Sequence, residues 1–336
     1  MKVKLKRNFI GEKDLSRKPA AFRLAKEVVR SGNEGTIKKT VTAIRKLAKF
    51  AKEELELKNL AKLHPEHMKE FAQYLRDEVG DGDISKAHAA NIISSLNRIF
   101  DHYGQDTLKL SAEAEGLNRG TRYYNIDRSV NYNLHKQFTN YLTEKFISTG
   151  DHRFEALRIQ VEMEREFGLR FKESALHDAK GIHKRDHLLD VVKGTKGGQP
   201  RQVPIRDEKG YELLSYAKNL KNEFGYTKSL IPDDYSFNKW QNFAYNVVKD
   251  FNERFNCNYH FHGERHAYAQ NRYLELTGFD APVVSGFTNG SYLEVMAEYY
   301  QISIDEAKDL DYEARMIISE ELGHHRIDVT NYYLGK

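Results

Sequence analysis

The hydrophobic spacing of this chain is helical almost throughout and changes once. At Leu188-Leu-Asp-Val-Val192 and Arg201-Gln-Val-Pro-Ile205 short β-type runs flank the turn Gly194-Thr-Lys-Gly-Gly198, which predicts a hairpin. Elsewhere apolar residues recur three and four apart. Ile37, Val41, Ile44, Leu47, Ala48 and Ala51 form one such stripe, and Ala89, Ile92, Ile93, Leu96, Ile99 and Phe100 another. Pro65 and the acidic residue after it suit the start of a helix over 65–78. Further helices are expected over 131–147, 154–167, 211–224, 236–255 and 265–276. The expected fold is mainly α with a small antiparallel β-sheet, an all-helical domain followed by an α+β domain.

A chain of 336 residues is long enough for two domains with separate cores. Residues 1–30 read as a basic N-terminal extension, in which Lys2, Lys4, Lys6 and Arg7 either line an arm on a phosphate backbone or keep the terminus soluble. Residues 31–110 form the helical domain, 111–125 a polar linker without period, and 126–336 the second domain. The charge is unevenly spread. Residues 1–49 hold fifteen Lys/Arg against four Asp/Glu, whereas 278–322 hold two against ten. A basic front end suits a polyanion, although basic stretches also serve as solvated helix faces. Lys38, Lys39, Arg45, Lys46, Lys49 and His88 are the candidate contacts.

Cys257 is the single cysteine, which excludes an intrachain disulfide and fits a reducing cytosol. No run of eighteen apolar residues occurs, and Met1 to Arg7 lacks the apolar core of a signal peptide, so no membrane association is expected. Cys257, His260, His262 and His266 crowd together, with His324 and His325 as further metal-ligating types. One cysteine cannot make paired zinc-finger spacing, and Gly263 stands where a zinc protease carries glutamate, so no metal site is expected.

The chain closes on Leu322-Gly-His-His-Arg-Ile-Asp-Val-Thr-Asn-Tyr-Tyr-Leu-Gly-Lys336, which sets Tyr333 nine residues after His324. Phe167-Gly-Leu-Arg-Phe-Lys-Glu173, the Gly194–Pro204 hairpin and His262-Gly-Glu-Arg-His-Ala-Tyr-Ala269 precede it in order. Together these four stretches resemble the boxes of the tyrosine recombinase (phage integrase) family. The resemblance implies a helical core-binding domain that clamps DNA and a catalytic domain. It implies Arg170 and Arg265 as phosphate-binding cations, which suits arginine's planar fork. Lys196 resembles the family's general acid. His262 and His324 would hydrogen-bond the phosphate or move protons, and Glu173 would support them structurally. Tyr333 would be the nucleophile that forms a 3′-phosphotyrosine, with no cofactor or metal. The implied partners are double-stranded DNA, further copies of the chain in a tetramer, and an accessory DNA-bending protein. The implied event is integration or excision of a mobile element, in the cytoplasm at the nucleoid. Alternatives are type IB topoisomerase-like cleavage and religation, or a catalytically inactive DNA-binding relative.

Three features depart from the family. Glu264 stands where a leucine is usual. Arg265 and His324 lie fifty-nine residues apart, well over twice the usual span, and the excess at about 281–317 is acidic. The chain ends three residues past Tyr333, where many members continue into a helix exchanged between protomers. The acidic segment is therefore expected to contact a neighbouring protomer or to restrain Tyr333. The competing expectation is an extra helical pair on its own domain.

Overall fold

The computed structural model describes residues 14–29, 32–118, 125–287 and 290–336. The arm residues Lys2, Lys4, Lys6 and Arg7 lie outside the described residues. The chain divides into two compact units, Met1–Arg122 and Tyr123–Lys336.

The first unit is helical: α1 (Lys18–Val28), α2 (Glu34–Glu53), α3 (Pro65–Gly80) and α4 (Lys86–Tyr103). Local chemistry sets the helix ends. Asn33 caps α2 by accepting from the Thr36 amide, Ser85 caps α4 by accepting from the His88 amide, and Gly104 stops α4 in a left-handed conformation. The core gathers Ile37, Ile44 and Leu47 of α2, Phe71 of α3, and Ile92, Ile93 and Leu96 of α4. Helix α1 corrects the expected extension over 1–30. Ala20, Ala21, Leu24, Ala25 and Val28 are buried against the same core, and their small side chains among charged neighbours hide the helical stripe. The expected linker at 111–125 is also shorter than its composition suggests. Leu110 and Leu117 are buried in the first core, and Arg76 holds Glu115 at 2.7 Å.

The second unit comprises α5 (Tyr132–Thr149), α6 (His152–Phe167), α7 (Phe171–Leu176), β1 (Ile182–His183), β2 (Leu188–Val191), β3 (Arg201–Pro204), α8 (Glu208–Glu223), α9 (Phe237–Phe255), α10 (Phe261–Thr277), α11 (Pro282–Ser285), α12 (Ser291–Tyr300), α13 (Ile304–Glu321) and α14 (Ile327–Leu334). The antiparallel sheet runs β1-β2-β3, with Leu189 opposite Val203 and Val191 opposite Arg201. Leu189, Val191 and Val203 turn inward, so alternation along the hairpin selects the buried face. Strand β1 is two residues long and carries no alternation to read.

The segment 281–317 packs on its own unit. Ser303 and Glu306 form a capping box that starts α13, and Ala307, Ala314 and Ile318 join the core. Met296 and Ala297 of α12 are buried beside them. Apart from Asp311, which is buried, the acidic side chains of the segment take exposed positions between these apolar ones. No helix among the described residues is long and apolar enough to cross a membrane.

Candidate active site

The site begins where α6 stops. Gly168 ends α6 in the left-handed region, and Arg170 then stands at the N-cap of α7. Glu173, one turn later, accepts from the Arg170 amide at 2.8 Å and from Arg170 Nη1 at 2.7 Å. Its carboxylate is fully buried and also takes both Nη atoms of Arg201, at 2.8 and 2.7 Å. Arg265 Nη1 lies 3.9 Å from the same carboxylate. Burial alone would raise the Glu173 pKa, but the Arg201 hydrogen bonds and the charges of Arg201, Arg265 and Arg170 hold it down to about 2. Glu173 is thus the counter-ion that lets three arginines share one pocket.

Arg201 is a buried cation of the site that the motif reading passes over. It opens β3 on the inward register shared with Val203, and its Nε donates to the Glu321 carbonyl at 2.6 Å. An arginine on the buried face of a strand was the available signal, because such a charge needs a partner.

Arg265 sits on α10 with no exposed surface. Its Nε donates to the Tyr333 hydroxyl at 3.3 Å, Nη1 to the Gly168 carbonyl, and Nη2 to the Leu322 carbonyl and to His324 Nε2. Burial, then the neighbouring Arg170 and Arg201, push its pKa down to about 10, which still leaves a full cation at neutral pH. Arg170 Nη2 reaches the same Leu322 carbonyl at 3.3 Å, so both candidate phosphate-binding arginines converge on one point. Gly323, the next residue along, leaves room for Arg201 beside this point. It turns the chain at φ +67°, and a Cβ there would fall 2.9 Å from Arg201 Cδ.

Tyr333, on α14, is 5% exposed and enclosed by three imidazoles. Ring centroids lie 4.5 Å away for His266 and 5.6 Å for each of His262 and His324. Burial, with the nearby arginines or histidines, pushes His262 down to about 4 and both His266 and His324 down to about 3. All three are therefore held toward the neutral form near pH 7, in which a ring nitrogen is open to accept a proton. His266 is the second residue that the motif reading did not single out, although it lies in the His262 box. Tyr332 packs, partly buried, against the core.

Lys196 is exposed at the β2–β3 turn, and its charge is felt at His324. The turn is seated by Gly194, at φ +76°, where an added Cβ would lie 2.6 Å from the Lys172 carbonyl oxygen of α7. Glu264 also finds an explanation: wholly buried, it pairs with His135 Nδ1 at 3.0 Å and Arg165 Nη1 at 2.7 Å. That pairing ties α10 to α5 and α6 where leucine packing is usual. The cysteine and histidine crowd has separate uses. Cys257 donates to Asn252 Oδ1, and His260 caps α10 through the Gly263 amide.

In the first unit, Lys38, Lys39, Arg45, Lys49 and His88 are exposed. Lys38 lies 2.8 Å from Glu34 and Lys49 3.7 Å from Glu53, and Arg45 Nε donates to the Ser16 carbonyl. Lys46 differs. It is partly buried, lies over the Tyr74 ring and bonds Glu78 at 2.6 Å, so its charge is balanced inside the unit.

Glu173 gives a pH dependence whose sign is fixed. Its folded pKa is depressed below the ordinary 4.5, so its stabilisation is complete above that value and lost as pH falls through about 2. The thermal midpoint of the parent should drop more steeply than that of Glu173→Gln across this acid window. Parallel curves would show that the three arginines do not depend on this carboxylate.

Residues 128–271 match the model of the integrase family, a stretch that holds Arg170, Glu173, Lys196, His262 and Arg265. Among solved structures, the XerH site-specific recombinase bound to palindromic difH substrate in a post-cleavage complex is 15% identical, with a TM-score of 0.58 over 94% of this chain and 80% of that one. The Tn1549 transposon integrase in complex with transposon right end DNA is 13% identical, with a TM-score of 0.55 over 94% of this chain and 95% of that one. A comparison with curated proteins finds no match. The fold is that of the tyrosine-class site-specific recombinases. The integrase match covers the stretch with both candidate phosphate-binding arginines of the site, and His324 and Tyr333 lie beyond it.

Proposed function

We propose that this chain is a site-specific DNA recombinase that cuts and rejoins DNA through a 3′-phosphotyrosine on Tyr333. One observation carries the reading: a wholly buried Arg265 donates to the Tyr333 hydroxyl while converging with Arg170 on the Leu322 carbonyl. A phosphodiester that replaces that carbonyl between the two guanidiniums brings phosphorus toward the phenol. Tyr333 oxygen then attacks phosphorus as the bond to the 5′-oxygen breaks. Negative charge grows on the non-bridging oxygens, where the two arginines stabilise it. The phenol proton passes to a neutral imidazole of the surrounding three, and Lys196 donates a proton to the departing 5′-oxygen. Reversal by the 5′-hydroxyl of another strand rejoins the DNA, because the phosphotyrosine keeps the phosphodiester bond energy.

The wider setting follows the same reading. The first unit clamps double-stranded DNA through Lys38, Lys39, Arg45, Lys49 and His88; Lys46 leaves the set because Glu78 already balances it. Four copies act on two sites, in the cytoplasm at the nucleoid, to integrate or excise a mobile element, with an accessory DNA-bending protein. The XerH and Tn1549 integrase structures, both holding DNA, support a DNA substrate. A plasmid bearing two copies of a duplex site that the protein selects from a random-sequence pool tests this. Deletion or inversion between the copies is expected. Supercoil relaxation without any two-site product would make the chain topoisomerase-like, and binding without cleavage would make it a DNA-binding relative only.

A further inference from the structure

The acidic segment 281–317 holds a buried cation that the reaction outlined above does not use. Arg315, on α13, is 3% exposed. Its Nε donates to both carboxylate oxygens of Asp311 at 2.8 Å, one turn back on the same helix. Its Nη1 donates to Asn331 Oδ1 at 2.7 Å and to the Gly335 carbonyl at 2.9 Å. Asn331 and Gly335 lie two residues before and two residues after Tyr333. A single guanidinium nitrogen therefore brackets the tyrosine along its own helix.

The other side of the clamp comes from α10. Asp311 Oδ1 accepts from the Tyr273 hydroxyl at 2.6 Å, and Tyr273 lies eight residues beyond Arg265 on α10. Gln270, also on α10, donates from Nε2 to the Tyr333 carbonyl at 3.2 Å. The Tyr333 hydroxyl itself has the longer 3.3 Å contact from Arg265 Nε. Restraint on the phenol thus comes mainly from how its backbone is held, and the hold runs through Asp311 and Arg315. Tyr292 completes the pair by accepting from Arg315 Nη2 at 3.2 Å.

We infer that Arg315 is a positioning residue for the Tyr333 nucleophile, with Asn331 and the Gly335 carbonyl as its points of attachment. The inference rests on the recombinase reading and deepens it. On this inference α13 holds α14 in register with Arg265. A lysine at 315 keeps the charge but offers no planar fork to span Asp311, Asn331 and Gly335 together. Alanine at 331 removes one attachment point and leaves the Asp311–Arg315 pair intact, so the fold is preserved if Arg315→Lys proves unstable.

The experiment uses the full chain at saturating concentration on a nicked suicide duplex carrying a site that the protein selects from a random-sequence pool. Single-turnover cleavage, DNA affinity, thermal midpoint and the residue bearing the adduct are measured for the parent, Asn331→Ala, Arg315→Lys and Tyr333→Phe. Asn331→Ala and Arg315→Lys should each slow cleavage on the order of tenfold or more, because small misplacement of a nucleophile is costly. DNA affinity should stay unchanged while the single-turnover rate falls and the adduct stays on Tyr333, a split that a merely structural role would not produce. If the parent cleaves and both variants match it within about twofold per folded molecule, the inference is overturned and the recombinase reading stands. If the parent forms no adduct, the recombinase reading falls and takes this inference with it.

Discussion

Tyr333→Phe should abolish covalent trapping of the protein on a nicked suicide substrate, while Tyr332→Phe should trap like the parent. One step along a helix turns a side chain by about 100°, so adjacent tyrosines cannot serve the same site. The structure places Tyr333 under Arg265 and among His262, His266 and His324, whereas Tyr332 lies partly buried against the core. Phenylalanine keeps the ring and its contacts with the imidazoles and removes only the hydroxyl. That hydroxyl accepts one hydrogen bond at 3.3 Å, so the stability change should be about 1 kcal/mol or less. A folded Tyr333→Phe protein that binds DNA and never attaches to it is the expected outcome. Attachment by that variant, together with loss in Tyr332→Phe, would reverse the assignment.

Replacing the arginines should give the next largest effect. Arg265→Lys and Arg170→Ala should each slow cleavage by orders of magnitude with DNA affinity almost unchanged. Losing a preorganised donor where charge develops costs about 3 kcal/mol or more, which is over a hundredfold in rate. One phosphate contact among many contributes little to binding. Lysine is the informative replacement at 265, because Arg265 is fully buried and also holds the Gly168 and Leu322 carbonyls. Its complete removal would leave those acceptors and part of the Glu173 charge unmatched. Arg170 is partly exposed, so alanine is tolerable there. Normal cleavage rates in both variants would make the two arginines structural cations.

What could be read from the residues follows from distance along the chain. The hairpin, the N-caps at Asn33 and Ser85, and the offset from His324 to Tyr333 are local, so the sequence carries them directly. Arg201 offered one local sign, its inward place on β3, but its partner Glu173 is twenty-eight residues away. Glu264 read as a departure because its partners His135 and Arg165 lie 129 and 99 residues upstream. Helix α1 was obscured by alanines at its buried positions, which carry little hydrophobic contrast. The segment 281–317 read as an outward-facing acidic contact because its charges outnumber its core residues. Its buried content on α13, Ala307, Asp311, Ala314 and Arg315, is small or charged. For Arg201 and Glu264 the missing information was a tertiary partner, and for α1 and segment 281–317 it was hydrophobic contrast.

The most direct measurement is the identity of the residue joined to DNA. The parent chain is incubated in EDTA with the nicked suicide duplex, the complex is digested with protease, and the nucleotide-bearing peptide is sequenced by mass spectrometry. The account predicts one adduct, on Tyr333, linked to a 3′-phosphate and leaving a free 5′-hydroxyl. An adduct on another residue, linkage through a 5′-phosphate, or cleavage that stops when divalent metal is removed would contradict it.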